Sequence, residues 1–168
     1  NMEPKFTSDW FSHHIPLWEL WLRGLKGLSH LDFLEIGSYE GRSTIWLLKN
    51  IINHETCKIT CVDWFVDEEY EKLNNKSLRD QFIENIRPYI NQVAIYQSPS
   101  FDALQKLNET NQKFAVIPKS SLDTSKMTYV QTVRDYYYGL IGGPLHPPAT
   151  NWKTNGVDVL YLNQLGLS

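Results

Sequence analysis

Apolar residues occur along the chain in two patterns, continuous runs and helically spaced stripes. The continuous runs are typical of buried parallel strands, and they cover residues 31–36, 58–65, 92–97 and 113–118. Helical spacing predicts helices over residues 16–28, 43–52, 77–87 and 101–107. Strands that alternate with helices at short intervals indicate an α/β protein with right-handed crossovers. We therefore expect a doubly wound, mostly parallel sheet with flanking helices.

Composition and charge narrow the protein class. The chain has 168 residues, of which 42% are hydrophobic and 21% charged, as in a soluble globular domain. A net charge of −3 without a long basic run argues against nucleic-acid binding. The sequence has no apolar run of membrane-spanning length, so we expect no membrane span and, by default, a cytoplasmic location. Six Trp residues allow a thick core, a ligand pocket or a homodimer surface. The charged stretch 67–77 is predicted to be a solvated loop or helix face.

The most specific feature is the loop EIGSYEGRS, which follows the first predicted strand. Ligands of such sheets bind at the carboxyl ends of the strands, where Gly37 and Gly41 would allow close approach of a ligand. The helix that follows presents unpaired N–H groups, and Glu35 could hold an ammonium group. The spacing is neither G-x-G-x-x-G nor that of a Walker loop. A nicotinamide-dependent oxidoreductase is therefore a disfavoured alternative.

Residues after the second and third strands complete a candidate nucleoside site. Asp63 ends the second strand, where an acid can accept hydrogen bonds from both ribose hydroxyls. Trp64 could lie against an adenine ring, and Ser98 and Phe101 could border the same base. The ordered set of acid, glycine loop, helix, strand, acid and aromatic predicts binding of an adenosine-type ligand.

These motifs resemble the class I S-adenosylmethionine-dependent methyltransferases. More narrowly, they are similar to small-molecule O-methyltransferase-like domains whose first motif is LEIGS-x-x-GRS, and the similarity covers roughly residues 30–118. The resemblance implies a Rossmann-like fold and S-adenosylmethionine as cofactor. It also implies a set of cofactor-binding residues, which are Glu35, Gly37, Ser38, Gly41, Ser43, Asp63, Trp64, Ser98 and Phe101. We expect one methyltransferase-like domain over residues 1–168, with an N-terminal part (1–29), a cofactor-binding core (30–118) and a divergent C-terminal part (119–168).

The C-terminal third departs from the family pattern. Pro118 and Lys119 stand where the fourth strand of the family usually ends in an acid and glycine. Residues 128–139 resemble the fifth strand, with Asp135 at its second acid, but too few residues precede them for a full crossover. Either the crossover helix is lost, or residues 120–133 are themselves a short helix and the fifth strand is absent. We favour a shortened or rearranged crossover.

The candidate chemistry is methyl transfer to a small hydroxylated acceptor, which usually needs a base for the acceptor's proton. His14 and Asp135 are the candidate catalytic residues. No metal site is predicted, because the fourth-strand acid that would partner Asp135 is missing. The alternative is a non-catalytic methyltransferase-like module with a binding or structural role.

Overall fold

The computed structural model of the chain describes residues 3–99, 102–103, 106–107 and 115–118. Its α-helices are α1 (Ile15–Leu22), α2 (Arg42–Asn50), α3 (Glu68–Asn74) and α4 (Leu78–Ile86). Its strands are β1 (Asp32–Ile36), β2 (Lys58–Asp63), β3 (Val93–Gln97) and β4 (Ala115–Pro118). Short 3₁₀ turns precede α1, follow α1 and join α4 to β3.

The four strands form one parallel sheet in the order β3-β2-β1-β4. In the register, Phe33 of β1 pairs with Ile59 of β2 and with Ala115 of β4. The chain therefore moves outward from β1 to β3 and then returns to the other side of β1. This arrangement confirms the predicted parallel α/β sheet. The crossover after β4 and the candidate fifth strand at residues 128–139 lie outside the described residues.

The core lies around β1, β2 and the helices that cover them. Phe33 and Leu34 of β1 and Ile59 and Val62 of β2 are fully buried. Consecutive residues of a strand point to opposite faces, so the burial of both Phe33 and Leu34 shows that β1 is covered on both faces. β3 lies at one edge and its residues are half-buried or exposed. The buried strands place the loop after β1 at the centre of the sheet.

The first helix and the second strand both end earlier than predicted. The first helix was expected over residues 16–28 but ends at Leu22 and continues as a 3₁₀ turn, Arg23–Leu25, before Gly27 takes a left-handed φ of 76°. The second strand was expected to reach residue 65 but ends at Asp63, because the Asp63 carboxylate accepts a hydrogen bond from the Phe65 N–H and the chain turns there. Phe65 itself has a left-handed φ of 56°.

The charged stretch at residues 67–77 is largely helical and forms α3. Its helix begins after Asp67, whose side chain accepts a hydrogen bond from the Tyr70 N–H at 2.9 Å. Acidic residues fill the first turn, where they interact favourably with the helix dipole. Asn75 ends the helix in a left-handed conformation. The expectation of a solvated helix face is confirmed for most of the stretch, while Tyr70 is buried.

Among the helices of the described ranges, none is long and apolar enough to cross a bilayer.

Candidate functional site

The loop between β1 and α2, residues 37–41, has a backbone conformation that favours glycine at both of its ends. Gly37 and Gly41 have left-handed φ values of 83° and 87°. A Cβ atom on Gly41 would lie 3.2 Å from side-chain atoms of both Phe82 and Ile86. Backbone hydrogen bonds fix both ends of the loop, from the Gly37 N–H to the Val62 carbonyl and from the Gly41 N–H to the Ser38 carbonyl. The loop therefore approaches α4 so closely that a side chain at Gly41 would disturb it.

The loop lies at the point where the strand order reverses. It follows β1, which has β2 on one side and β4 on the other. In open α/β sheets, ligands bind in the crevice outside the carboxyl ends of the strands at this switch point. The fold therefore places the predicted glycine loop where such a sheet binds its ligands.

Asp63 determines the shape of this loop through backbone hydrogen bonds. Its Oδ2 accepts hydrogen bonds from the N–H groups of Ser38 and Tyr39, both at 2.9 Å. Its Oδ1 accepts the bond from Phe65 at 2.8 Å. An ionised carboxylate has about four acceptor positions, so these three bonds leave room for roughly one more donor. The structure thus brings Asp63 to the glycine loop, as the sequence pattern suggested, and gives it a structural role there.

Glu35 lies beneath the first turn of α2. It is 0% exposed, and its carboxylate accepts hydrogen bonds from the hydroxyls of Thr44 at 2.5 Å and Ser43 at 3.3 Å. Predicted residues Glu35 and Ser43 are therefore in contact with each other. Sequence analysis missed Thr44, although the adjacent hydroxyl residues at the start of an apolar helix were a usable signal.

The Ser38 hydroxyl is the one buried side-chain oxygen without a hydrogen-bond partner within the described part of the chain. Ser38 is 1% exposed. A buried polar group that lacks a partner costs about 1–3 kcal/mol. A polar group of a ligand bound at the loop could satisfy this hydroxyl.

Trp64 and Ser98 lie near the ends of β2 and β3. Trp64 is 52% exposed, so much of its indole ring is available for stacking. The Ser98 N–H donates to the Asp63 carbonyl at 3.0 Å, which places Ser98 next to the end of β2. Phe101 and Asp135 lie outside the described residues.

His14 lies at the end of the 3₁₀ turn Ser12–His14, directly before α1. Its ring centroid is 3.9 Å from that of His13. Partial burial, and secondly the neighbouring charge of His13, lower the pKa of His14 below its usual value. A lowered pKa favours the neutral imidazole, the form that can accept a proton. Its participation in catalysis remains a prediction.

Sequence analysis also missed a buried carboxylate within the glycine loop. Glu40 is 1% exposed and accepts hydrogen bonds from Thr7 and from the Tyr70 hydroxyl. Its partners are far away in sequence, so no local pattern indicated the pairing. The part of the chain that the structure describes contains no group of three or more His, Cys, Asp or Glu side chains able to hold a metal ion.

Comparison with known families links this geometry to a group of enzymes. A family model described as "Methyltransferase domain" matches residues 34–137, more than half of the chain. The match begins one residue before Glu35 and includes the glycine loop and Asp63. No curated protein matches the chain, and no solved structure matches it. On the family match, the chain belongs to the class I S-adenosylmethionine-dependent methyltransferase family.

Proposed function

We propose that this protein transfers a methyl group from S-adenosylmethionine to a small hydroxylated acceptor. The observation that carries the proposal is the glycine loop at the switch point of the sheet, with its left-handed glycines and the unpaired, buried Ser38 hydroxyl. Family membership supports methyl transfer as the reaction class. When bound, S-adenosylmethionine supplies the methyl group, and the acceptor oxygen loses its proton.

Residues of the loop and of α2 would hold the amino-acid part of the cofactor. Ser38 has a free buried hydroxyl, and the first turn of α2 presents unpaired N–H groups, since Gly41 provides no side-chain cap. Gly37, whose Cβ position is open, would let the cofactor approach the backbone, whereas Gly41 makes room for α4. Glu35 would act on this part of the site mainly through Ser43, to whose hydroxyl it is already bonded.

Residues at the ends of β2 and β3 would hold the nucleoside. We assign one ribose hydroxyl to the remaining acceptor position of Asp63 and the adenine ring to the exposed face of Trp64. Ser98 and Phe101 would border the base. For the acceptor's proton, the candidates are His14, whose lowered pKa favours a neutral base, and Asp135.

Calorimetric titration of the full chain with S-adenosylmethionine and S-adenosylhomocysteine tests the cofactor assignment. We expect micromolar binding of both ligands and no binding of NAD. Binding of NAD alone would support a nicotinamide-dependent oxidoreductase instead. Absence of binding by a sample with a cooperative unfolding transition would overturn the proposal.

A non-catalytic role is the second candidate, and the end of β4 favours it. β4 ends at Pro118, which pairs with Ile36 directly before the glycine loop. Enzymes of the resembled group commonly have an acid at this position. Methyl-transfer assays over a panel of phenols, catechols and sugars would separate the two candidates: cofactor binding with no S-adenosylhomocysteine formed on any acceptor would favour the non-catalytic role.

A further inference from the structure

Glu40 is a buried acid whose partners, in the described part of the chain, are all uncharged. Its carboxylate accepts hydrogen bonds from the Thr7 N–H at 2.9 and 3.1 Å, from the Thr7 hydroxyl at 3.2 Å and from the Tyr70 hydroxyl at 2.7 Å. Removing a carboxylate from water is costly, and apolar residues of similar size often fill such a position at no loss of stability. The acid therefore requires an explanation other than packing.

The contacts of Glu40 join three parts of the molecule. Glu40 belongs to the glycine loop, Tyr70 to α3, and Thr7 to the N-terminal segment, by which we mean residues 5–8. Burial, and secondly the hydrogen bond to Glu40, raise the pKa of Tyr70, so its hydroxyl remains protonated as a donor. One side chain thus fixes the loop to two elements that are distant in sequence.

Other side chains hold the same segment against the same loop. Asn85 of α4 accepts from the Lys5 N–H and donates to the carbonyls of Lys5 and Glu40, all within 2.9 Å. The Arg42 guanidinium, at the start of α2, lies 4.3 Å from the centre of the Phe6 ring and donates to the Ser8 carbonyl. Every residue of the N-terminal segment therefore contacts the loop or a helix beside it.

Glu40 also lies between the two residues whose conformations shape the loop. Tyr39 before it has a φ of 51°, and Gly41 after it has a φ of 87°. The Tyr39 ring packs edge-on against Tyr70, with 5.9 Å between centroids. Asp63 holds the loop through the N–H groups of Ser38 and Tyr39, and Glu40 holds it through hydrogen bonds to Thr7 and Tyr70.

We propose that Glu40 is a positioning residue, whose carboxylate docks the N-terminal segment on the glycine loop and thereby holds the loop in its ligand-binding shape. The inference rests on the proposed function, because the ligand is the cofactor of that site. It extends the site to residues 5–8 and to Tyr70. Docking of the segment and binding of the ligand would then favour each other, as linked equilibria require.

The test uses the full chain with Glu40→Gln, which keeps the shape but removes the charge. Glu55→Gln is the control, because it is the same substitution at an exposed acid in the turn before β2. Hydrogen bonds to charged groups are about twice as strong as neutral ones, so we expect Glu40→Gln to weaken S-adenosylhomocysteine binding by about tenfold. Glu55→Gln should bind like wild type.

Hydrogen exchange in the ligand-free protein gives a second readout that does not need the cofactor. Glu40→Gln should speed exchange of the Thr7 amide and of the amides at residues 38–41, whereas Glu55→Gln should leave both unchanged. Thr7→Val and Tyr70→Phe each remove one donor and should each give a smaller effect in the same direction.

The outcomes separate this inference from the proposed function. If wild type binds no S-adenosylhomocysteine, the proposed function fails, and hydrogen exchange alone tests the positioning role. Faster exchange at residues 38–41 in Glu40→Gln then supports this role, and unchanged exchange refutes it. If wild type binds and Glu40→Gln binds equally well, the positioning role is refuted while the cofactor assignment stands. If Glu40→Gln fails to fold, Thr7→Val and Tyr70→Phe replace it in the binding and hydrogen-exchange measurements. Weaker binding and faster exchange then support the positioning role, and unchanged values refute it.

Discussion

Glu35 lies one residue before the end of β1, and Asp63 ends the neighbouring parallel strand β2, yet their carboxylates have different partners. Glu35 is fully buried under α2 and accepts hydrogen bonds from two side-chain hydroxyls. Asp63 is half-buried and accepts three hydrogen bonds from backbone N–H groups. The first acid therefore connects a strand to a helix, whereas the second determines the path of a loop.

This difference shows how two similar strand-end acids can serve one site differently. The partners of Glu35 depend on which residues occupy positions 43 and 44. The partners of Asp63 are backbone groups, so they depend on the conformation of residues 38 and 39. Glu35 should therefore affect chiefly stability, and Asp63 chiefly the affinity for a ligand at the loop.

The largest effect is expected for Glu35→Ala, measured as the free energy of unfolding in urea. The substitution leaves the Thr44 and Ser43 hydroxyls buried without an acceptor and opens a cavity beneath α2. We expect a loss of about 3 kcal/mol, from two unpaired polar groups and the lost volume. Glu55→Ala, at an exposed position, is the control and should change stability by less than about 0.5 kcal/mol. A loss below about 1 kcal/mol for Glu35→Ala would contradict the role assigned to this acid.

Asp63→Ala should have its main effect on ligand affinity. Removal of the carboxylate frees the Ser38 and Tyr39 amides, so the loop loses its shape and the ribose loses its acceptor. We expect S-adenosylhomocysteine binding to weaken by about 1–3 kcal/mol, with a smaller loss of unfolding free energy than for Glu35→Ala, because Asp63 is half-buried whereas Glu35 is fully buried.

Thr56→Val is the matched control for that experiment. The Thr56 hydroxyl also accepts a hydrogen bond from a backbone N–H, that of His30 at 2.8 Å, but it lies before β2, at the opposite end of that strand from Asp63. Loss of this bond should cost about 1 kcal/mol of stability and leave affinity unchanged. Equal affinities of Asp63→Ala and wild type would exclude Asp63 from the ligand site.

Local sequence patterns predicted the parts of this fold that depend on neighbouring residues. Apolar runs located the four strands of the described residues. The two glycines located the loop after β1, and the structure shows both of them with left-handed φ values. The end of β2 was placed two residues too late, because the apolar pattern continues through Trp64 and Phe65 while the Asp63 carboxylate already turns the chain.

Contacts between distant residues could not be predicted in this way. Thr7 and Glu40 are 33 positions apart, and Tyr70 is 30 positions from Glu40. Neither helical nor strand periodicity relates residues over such distances, so a buried acid in a loop looked like an ordinary polar turn residue. The sequence pattern likewise did not indicate whether Ser43 or Thr44 makes the shorter hydrogen bond to Glu35. The two distances depend on how α2 packs on β1.

The smallest effects are expected from removal of the hydroxyl group of Thr44 or of Ser43. The Thr44 hydroxyl is 2.5 Å from Glu35 and the Ser43 hydroxyl is 3.3 Å away, so Thr44 makes the stronger hydrogen bond. Thr44→Val keeps the shape of the side chain and should cost about 1–2 kcal/mol of unfolding free energy, whereas Ser43→Ala should cost about 0.5 kcal/mol.

Because the hydrogen bond between Ser43 and Glu35 is weak, the Ser43 hydroxyl can also bond a ligand at the start of α2. Ser43→Ala should therefore weaken S-adenosylhomocysteine binding more than Thr44→Val does, and the opposite order of affinities would remove Ser43 from the ligand site.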